Sequence, residues 1–189
     1  MKSLSITIIG TSLREQSQSQ KMAKWLLDWF EERSVRTWYC NAASFEPYFC
    51  LGDEEGDLSP YPPQILELYE KLLCSDGVII ATPIYLYSVS GVAKNLIDVI
   101  GDALAWRAVA LVSAAGTLRS HLAIADFAKS LQFEYHTLFF PQTVQFTRET
   151  LWTSEDVERI SSFAGNFLDF TVATAPFSRK RKEGDGTAQ

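Results

Sequence analysis

The sequence predicts a three-layer α/β/α sandwich built on a five-stranded parallel sheet. Three observations point there. Short apolar runs alternate five times with amphipathic stretches, and right-handed crossovers between parallel strands then place helices on both faces. Residues 77–82 (GVIIAT) are almost wholly apolar, as a central strand covered on both sides must be. The length, 189 residues, suits one domain, expected over residues 1–175 with a disordered basic tail at 176–189.

The first strand is expected at residues 4–9, β-branched and ended by Gly10. A polar loop follows. Met22, Trp25, Leu26, Trp29 and Phe30 then recur at helical spacing. Residues 35–40 read as the second strand. The stretch from 41 to about 63 reads as one long loop with an acidic cluster (Asp53, Glu54, Glu55, Asp57) and the prolines Pro60, Pro62 and Pro63. Loops of that length in compact domains are usually functional or form an interface, while the acidic cluster itself reads as a solvated face. Ile65, Leu68, Tyr69, Leu72 and Leu73 mark the second helix, and the third strand is 77–82. Val92, Leu96, Ile97, Ile100 and Leu104 mark the third helix, 108–112 the fourth strand, and Leu122, Ile124, Ala125, Ala128 and Leu131 the fourth helix. Residues 135–140 read as the fifth strand. Thr153 or Ser154 caps a last helix with Glu155 and Asp156 in its first turn. Five strands in one domain suit the flavodoxin-like order 2-1-3-4-5, in which ligands bind beyond the carboxyl ends of the strands.

Composition narrows the function. The formal charge of −6 argues against a nucleic-acid binder. No apolar run is long enough to cross a bilayer, and residues 1–3 lead into the first strand without a cleavage signal. Cys40, Cys50 and Cys74 form no CxxC pair and read as free thiols of a reducing cytosol. No zinc site is expected, because the cysteines are scattered and His121 and His136 are the only histidines. Neither histidine sits in the loops after the first, third and fourth strands with an acidic partner nearby in sequence, and no nucleophile–base pair or GxSxG elbow is present. If a bound cofactor carries the chemistry, the protein need only bind, orient and tune it.

Three loops lie at the carboxyl edge of the predicted sheet. The loop after the first strand presents Ser12, Arg14, Ser17 and Ser19 at a helix start. Unpaired N–H groups, hydroxyls and a guanidinium together suit a phosphate monoester; equally, Ser17 and Ser19 could simply cap the helix. Walker and GxGxxG patterns are missing, so a pyrophosphate is not indicated. The loop after the third strand, Pro83, Ile84, Tyr85, Leu86, Tyr87 and Ser88, suits a flat aromatic ligand lying along its backbone, or packing against a neighbouring helix or dimer partner. The loop after the fourth strand, Ser113 to Ser120 with Gly116 in it, is small enough to admit a ligand edge.

These loops resemble those of the NAD(P)H-dependent FMN reductases, a group that includes quinone, chromate and azo-dye reductases. The family's first loop reads GSxRxxSxN. Ser12, Arg14 and Ser17 match it with one added residue after Gly10, and Ser19 stands where Asn is usual. A second motif, PEYNxSxPGxLKNxID, is met at Pro83, Tyr85, Ser88, Gly91, Lys94, Asn95, Ile97 and Asp98. Ile84, Leu86 and Ser90 depart from it, replacing Glu, Asn and Pro.

The resemblance spans residues 4–140. It implies FMN as cofactor, held by its phosphate on Ser12, Arg14 and Ser17, and NADPH or NADH as co-substrate. It further implies ping-pong transfer to a quinone-like or other small acceptor, a homodimer or homotetramer to which the Trp25 and Trp29 stripe could contribute, and a cytoplasmic location. Two other readings follow from the same scaffold: an electron carrier without nicotinamide turnover, docking through an acidic face, and a flavin-free interaction domain.

Overall fold

The computed structural model describes residues 4–14, 16–52, 57–117 and 122–185, with side chains to Arg181. His121 and the acidic residues Asp53, Glu54 and Glu55 fall outside them.

The sheet is parallel and runs in the order β2 (Arg36–Asn41), β1 (Ser5–Gly10), β3 (Gly77–Tyr85), β5 (Ala108–Ala115). Its far edge is split. β6 (Leu138–Phe139) pairs with the start of β5, and β7 (Val144–Thr147) pairs with its end. The expected fifth strand, 135–140, is thus shorter than predicted and is continued by a second segment. Tyr135 is the last residue of a helix, and His136 adopts φ 52°, with its N–H donating to the carbonyl of Gln132, so the chain turns out of the helix in the left-handed region. Pro141 brings no N–H to the ladder, and Thr143 Oγ1 donates instead to the carbonyl of Leu111 at 2.7 Å. The resulting order is that of the flavodoxin-like fold.

Alternation along the central strands builds two cores. Ile9, Val78, Ile80, Val109 and Leu111 face α2 (Pro63–Cys74), α3 (Gly91–Ile100) and α4 (Leu122–Tyr135). Ile6, Ile8, Ile79, Ala81, Ala110 and Val112 face α1 (Gln18–Glu31) and α5 (Ser154–Asp185). Trp29 belongs to the second core, where its Nε1 donates to Ser161 Oγ at 3.0 Å. The stripe that could have served a dimer therefore packs against α5 at this position. Thr153 caps α5: its Oγ1 accepts from the N–H of Asp156, whose carboxylate accepts from the N–H of Thr153, a reciprocal cap.

The end of the chain differs from expectation. α5 runs on to Asp185, through Pro176 and through most of the stretch read as a disordered tail. Proline removes one intrahelical donor, but the carbonyl it would have served belongs to Val172, an exposed residue that water can reach. The extension is also tied down. Arg179 pairs with Asp76 at 2.8 Å through both Nε and Nη2, and Ser178 Oγ donates to the carbonyl of Trp106 at 2.6 Å. Among the described residues, no helix is long and apolar enough to cross a membrane.

Candidate functional site

The turn from β1 into α1 is held from several sides. The Thr11 N–H donates to the carbonyl of Ala81 at 2.9 Å, which fixes the turn to the end of β3. Ser12 is buried, and its Oγ accepts from the Arg14 N–H at 3.2 Å. Gln20, buried in the first turn of α1, donates through Nε2 to the carbonyl of Ser12 at 2.8 Å and to Asn41 Oδ1 at 2.6 Å. Its Oε1 accepts from the hydroxyl of Tyr39. Burial, with Cys40 next to it, pushes that phenol up to about 12, so it stays a donor. A Cβ at Gly10 would overlap the Gln20 amide.

Ser17 is the N-cap of α1: its Oγ accepts from the N–H of Gln20 at 3.1 Å and lies 3.2 Å from the buried Ser19 hydroxyl. Capping and anion binding are compatible here, because the cap takes one N–H and leaves those of Gln18 and Ser19 without intrahelical partners. Arg14 is exposed beside them, and its guanidinium makes no ion pair among the described residues.

After β3 the chain folds back as a tight hairpin. Tyr85 pairs with Ser88 of β4 (Ser88–Val89), and Leu86 and Tyr87 form the turn at φ 49° and 61°. Two successive positive φ values match the twist of a two-residue hairpin, but such turns ordinarily use Asn and Gly. No glycine marks this one in sequence. Leu86 at the tip is 98% exposed, whereas Ile84 is a core residue at 7%.

Ser90, which departs from the family motif, caps α3. Its Oγ accepts from the N–H of Ala93 at 3.1 Å and lies 3.3 Å from Thr11 Oγ1. Thr11, Thr82 and Ser90 form a buried hydroxyl cluster at the junction of β1, β3 and α3. Ser113, level with Thr82 in the sheet, is fully buried, and its hydroxyl has no partner among the described residues. Gly116 is exposed at the end of β5.

A cleft of about 650 Å³ opens at this edge of the sheet. Arg14, Pro83 and Tyr85 line it, as do Thr11, Leu13, Ser90 and Asn95, which the reading of the loops left out of the site. Ser12, Ser17, Ser19, Ile84, Leu86, Tyr87, Ser88, Ser113 and Gly116 do not line it. Ser12, Ser17 and Ser19 build the adjoining turn. Leu86, Tyr87 and Ser88 stand out at the hairpin.

The opposite wall is the segment from Ala42 to Phe49, part of the long loop that stood out by its length. Asn95 attaches it to α3: its Oδ1 accepts from the Cys50 N–H at 2.9 Å, and its Nδ2 donates to the carbonyl of Tyr48 at 3.3 Å. Burial raises the Tyr48 phenol above its ordinary value, against the opposing influence of Asn95, so the wall presents a neutral ring. Arg14 and Glu46 are the charged residues among those lining the cleft. The donor set fits a phosphate monoester joined to a flat, largely apolar group, since one cation and the start of a helix stand beside apolar walls.

The chain is similar to several known proteins. A curated FMN reductase (NADPH) of Escherichia coli is 28% identical over 123 residues, which cover 65% of this chain and 61% of that protein. The match thus spans less than two thirds of the curated relative. In overall fold the chain resembles an NADH:FMN oxidoreductase, EMOB, in its apo form, at a TM-score of 0.75 and 19% identity, covering 91% of this chain and 90% of that one. It also resembles FerB of Paracoccus denitrificans, an NAD(P)H:(acceptor) oxidoreductase, at 0.72 and 20%, covering 90% and 98%. With β1, β3 and their loops arranged as described and residues 4–151 matching its family pattern, the chain belongs to the NADPH-dependent FMN reductase family.

Proposed function

We propose that this chain is an FMN-dependent oxidoreductase that takes hydride from a reduced nicotinamide and passes the electrons to a quinone-like or other small acceptor. The observation that carries the reading is the Arg14 guanidinium just before α1, which makes no ion pair among the described residues, beside a cleft walled by Pro83 and Tyr85. This is the point where the order 2-1-3 reverses, and open α/β sheets bind their ligands there.

FMN supplies the redox chemistry when bound, accepting a hydride from the nicotinamide and yielding two electrons to the acceptor. The chain's residues bind and orient. Arg14, the Ser12 and Ser17 hydroxyls and the free N–H groups of the first turn of α1 would hold the phosphate, with Ser19 bracing Ser17. The backbone at Pro83 and the side chain of Tyr85, which line the cleft, would lie along the ring. Tyr85 closes one side of the cleft against water. Among the described residues lining the cleft there is no histidine, and hydride transfer by this route needs no protein acid or base. If nicotinamide and acceptor occupy the same cleft in turn, the kinetics are ping-pong. The exposed Tyr85, Leu86 and Tyr87 suit an oligomer contact between copies, and three unpaired cysteines suit a reducing cytosol.

Anaerobic mixing of the FMN-loaded protein with NADH or NADPH tests the proposal. The expected result is bleaching of the visible flavin band within the turnover time, and its return on adding a quinone. A flavin band that neither nicotinamide bleaches would leave an electron carrier as the better reading.

A further inference from the structure

The wall from Glu46 to Phe49 has two sides. One lines the cleft; the other lines a second cavity of about 560 Å³ on the outer face of the long loop. That groove is built from prolines and aromatic rings: Phe49 and Tyr61 with Pro60, Pro62 and Pro63. Among the described residues its lining contains no cation, and the one charged residue in it is Glu46, which also lines the cleft. Tyr48 and Tyr61 meet edge to face at 6.1 Å, and the Tyr61 hydroxyl accepts from the Leu51 N–H at 3.0 Å. Phe49 is 82% exposed, an unusual position for a phenylalanine unless something flat covers it.

We infer that this groove receives the adenosine half of the nicotinamide dinucleotide, with Glu46 accepting from the ribose hydroxyls and excluding a 2′-phosphate. The inference rests on the nicotinamide-dependent reading above and names the form of the co-substrate. Adenine is flat and apolar on its faces, and proline and aromatic side chains offer complementary surfaces. A dinucleotide whose reacting end lies in the cleft must leave it somewhere, and the groove adjoins the cleft across a single wall, the residues Glu46 to Phe49 that line both. Charge then selects the ligand. A flavin phosphate would occupy Arg14, the one cation lining the cleft among the described residues. A 2′-phosphate brings a charge of about −2 near neutral pH and would meet the Glu46 carboxylate with no cation in the lining to offset it. A ribose 2′-hydroxyl instead donates to that carboxylate, the arrangement by which acidic residues select the unphosphorylated dinucleotide in other α/β folds. The chain is therefore an NADH-preferring member of a family named for NADPH.

The test is isothermal titration of the FMN-incubated protein with ADP-ribose and with 2′-phospho-ADP-ribose, which probe the groove without turnover. ADP-ribose is expected to bind about tenfold more tightly, or better. Glu46→Gln should cut that ratio to about twofold, and Glu46→Lys should invert it. Phe49→Ala should weaken both ligands by about tenfold, through lost stacking area. Both side chains are exposed, so the variants test recognition rather than folding. Equal binding of the two ligands, an unchanged ratio in Glu46→Gln, or no binding of either would overturn the inference. Flavin retention, read from the absorption spectrum of the same samples, separates the two readings. Flavin retained without ADP-ribose binding removes the groove alone. Flavin lost with ADP-ribose binding intact removes the flavoprotein reading alone.

Discussion

Gln20 holds Ser12 by its backbone: the side-chain Nε2 donates to the Ser12 carbonyl at 2.8 Å, from a helix that starts after the loop Ser12 belongs to. The same amide reaches Asn41 and Tyr39 at the end of β2. One buried side chain thus sets the loop that carries Arg14 and joins three elements at the edge of the sheet. Gln20→Leu orphans the buried Ser12 carbonyl and removes the partner of the half-buried Tyr39 hydroxyl. The expected cost is about 2 kcal/mol of stability, with flavin affinity falling about tenfold as the loop loosens. Urea denaturation and flavin titration read the two effects separately.

Arg14 should behave in the opposite way. Its side chain is exposed and makes no ion pair among the described residues, so Arg14→Ala should leave the melting temperature within about 1 °C of the parent. Flavin affinity should drop about tenfold to a hundredfold, the worth of a charge-assisted hydrogen bond to phosphate. Affinity for riboflavin, which lacks the phosphate, should hardly change. Equal loss for both flavins would place Arg14 elsewhere than on the phosphate.

The hairpin tip offers a gain of stability. Leu86 and Tyr87 occupy left-handed backbone at φ 49° and 61°, where side chains with a Cβ are strained. The double replacement Leu86→Asn, Tyr87→Gly supplies residues suited to that turn. It should raise stability by about 1 kcal/mol and the melting temperature by about 3 °C. A lower melting temperature would show that the two exposed side chains are stabilised by a contact, as between copies of the chain.

At the other end of the sheet, Asp76 accepts from Arg179, from the Ser5 N–H at 3.0 Å and from the Ser5 hydroxyl at 3.3 Å. Burial alone would raise its carboxyl, but the Arg179 guanidinium and the Ser5 N–H outweigh burial and hold it below the ordinary carboxylate value. A depressed carboxyl contributes stability above its unfolded value and loses it as pH falls toward the folded one. Arg179→Met should therefore cost about 1 kcal/mol at neutral pH, a modest figure because the arginine is one-third exposed. The difference from the parent should shrink below about pH 4. Denaturation midpoints from pH 3 to 7 would show it; a difference independent of pH would mean that the helix extension is held by packing alone.

How far the sequence carries can be followed residue by residue. The β1, β3 and β5 runs are buried on both faces and mostly apolar, and their order follows from local pattern. The first-turn cap at Ser17 and the Thr153 cap are local as well. What escaped is set by contacts distant in sequence. Asn95 fastens the wall 45 residues upstream of it, and no pattern within that loop announces the partner. Gln20 looks like a surface residue of a polar first turn, yet it is buried because Gly10 leaves room for its amide. The Leu86–Tyr87 turn lacks the Asn or Gly that signals one. The basic run expected to be a disordered tail is instead helical to Asp185, held by the distant anchors of Ser178 on Trp106 and Arg179 on Asp76.

The central claim is that the α1 start and the cleft beside it hold FMN. The most direct measurement is the visible absorption spectrum of the purified protein after incubation with FMN and desalting. The account predicts a retained flavin band, shifted from that of free FMN, and its loss in Arg14→Ala. Complete separation of flavin from the unmodified protein would contradict the claim that it is a stable flavoprotein.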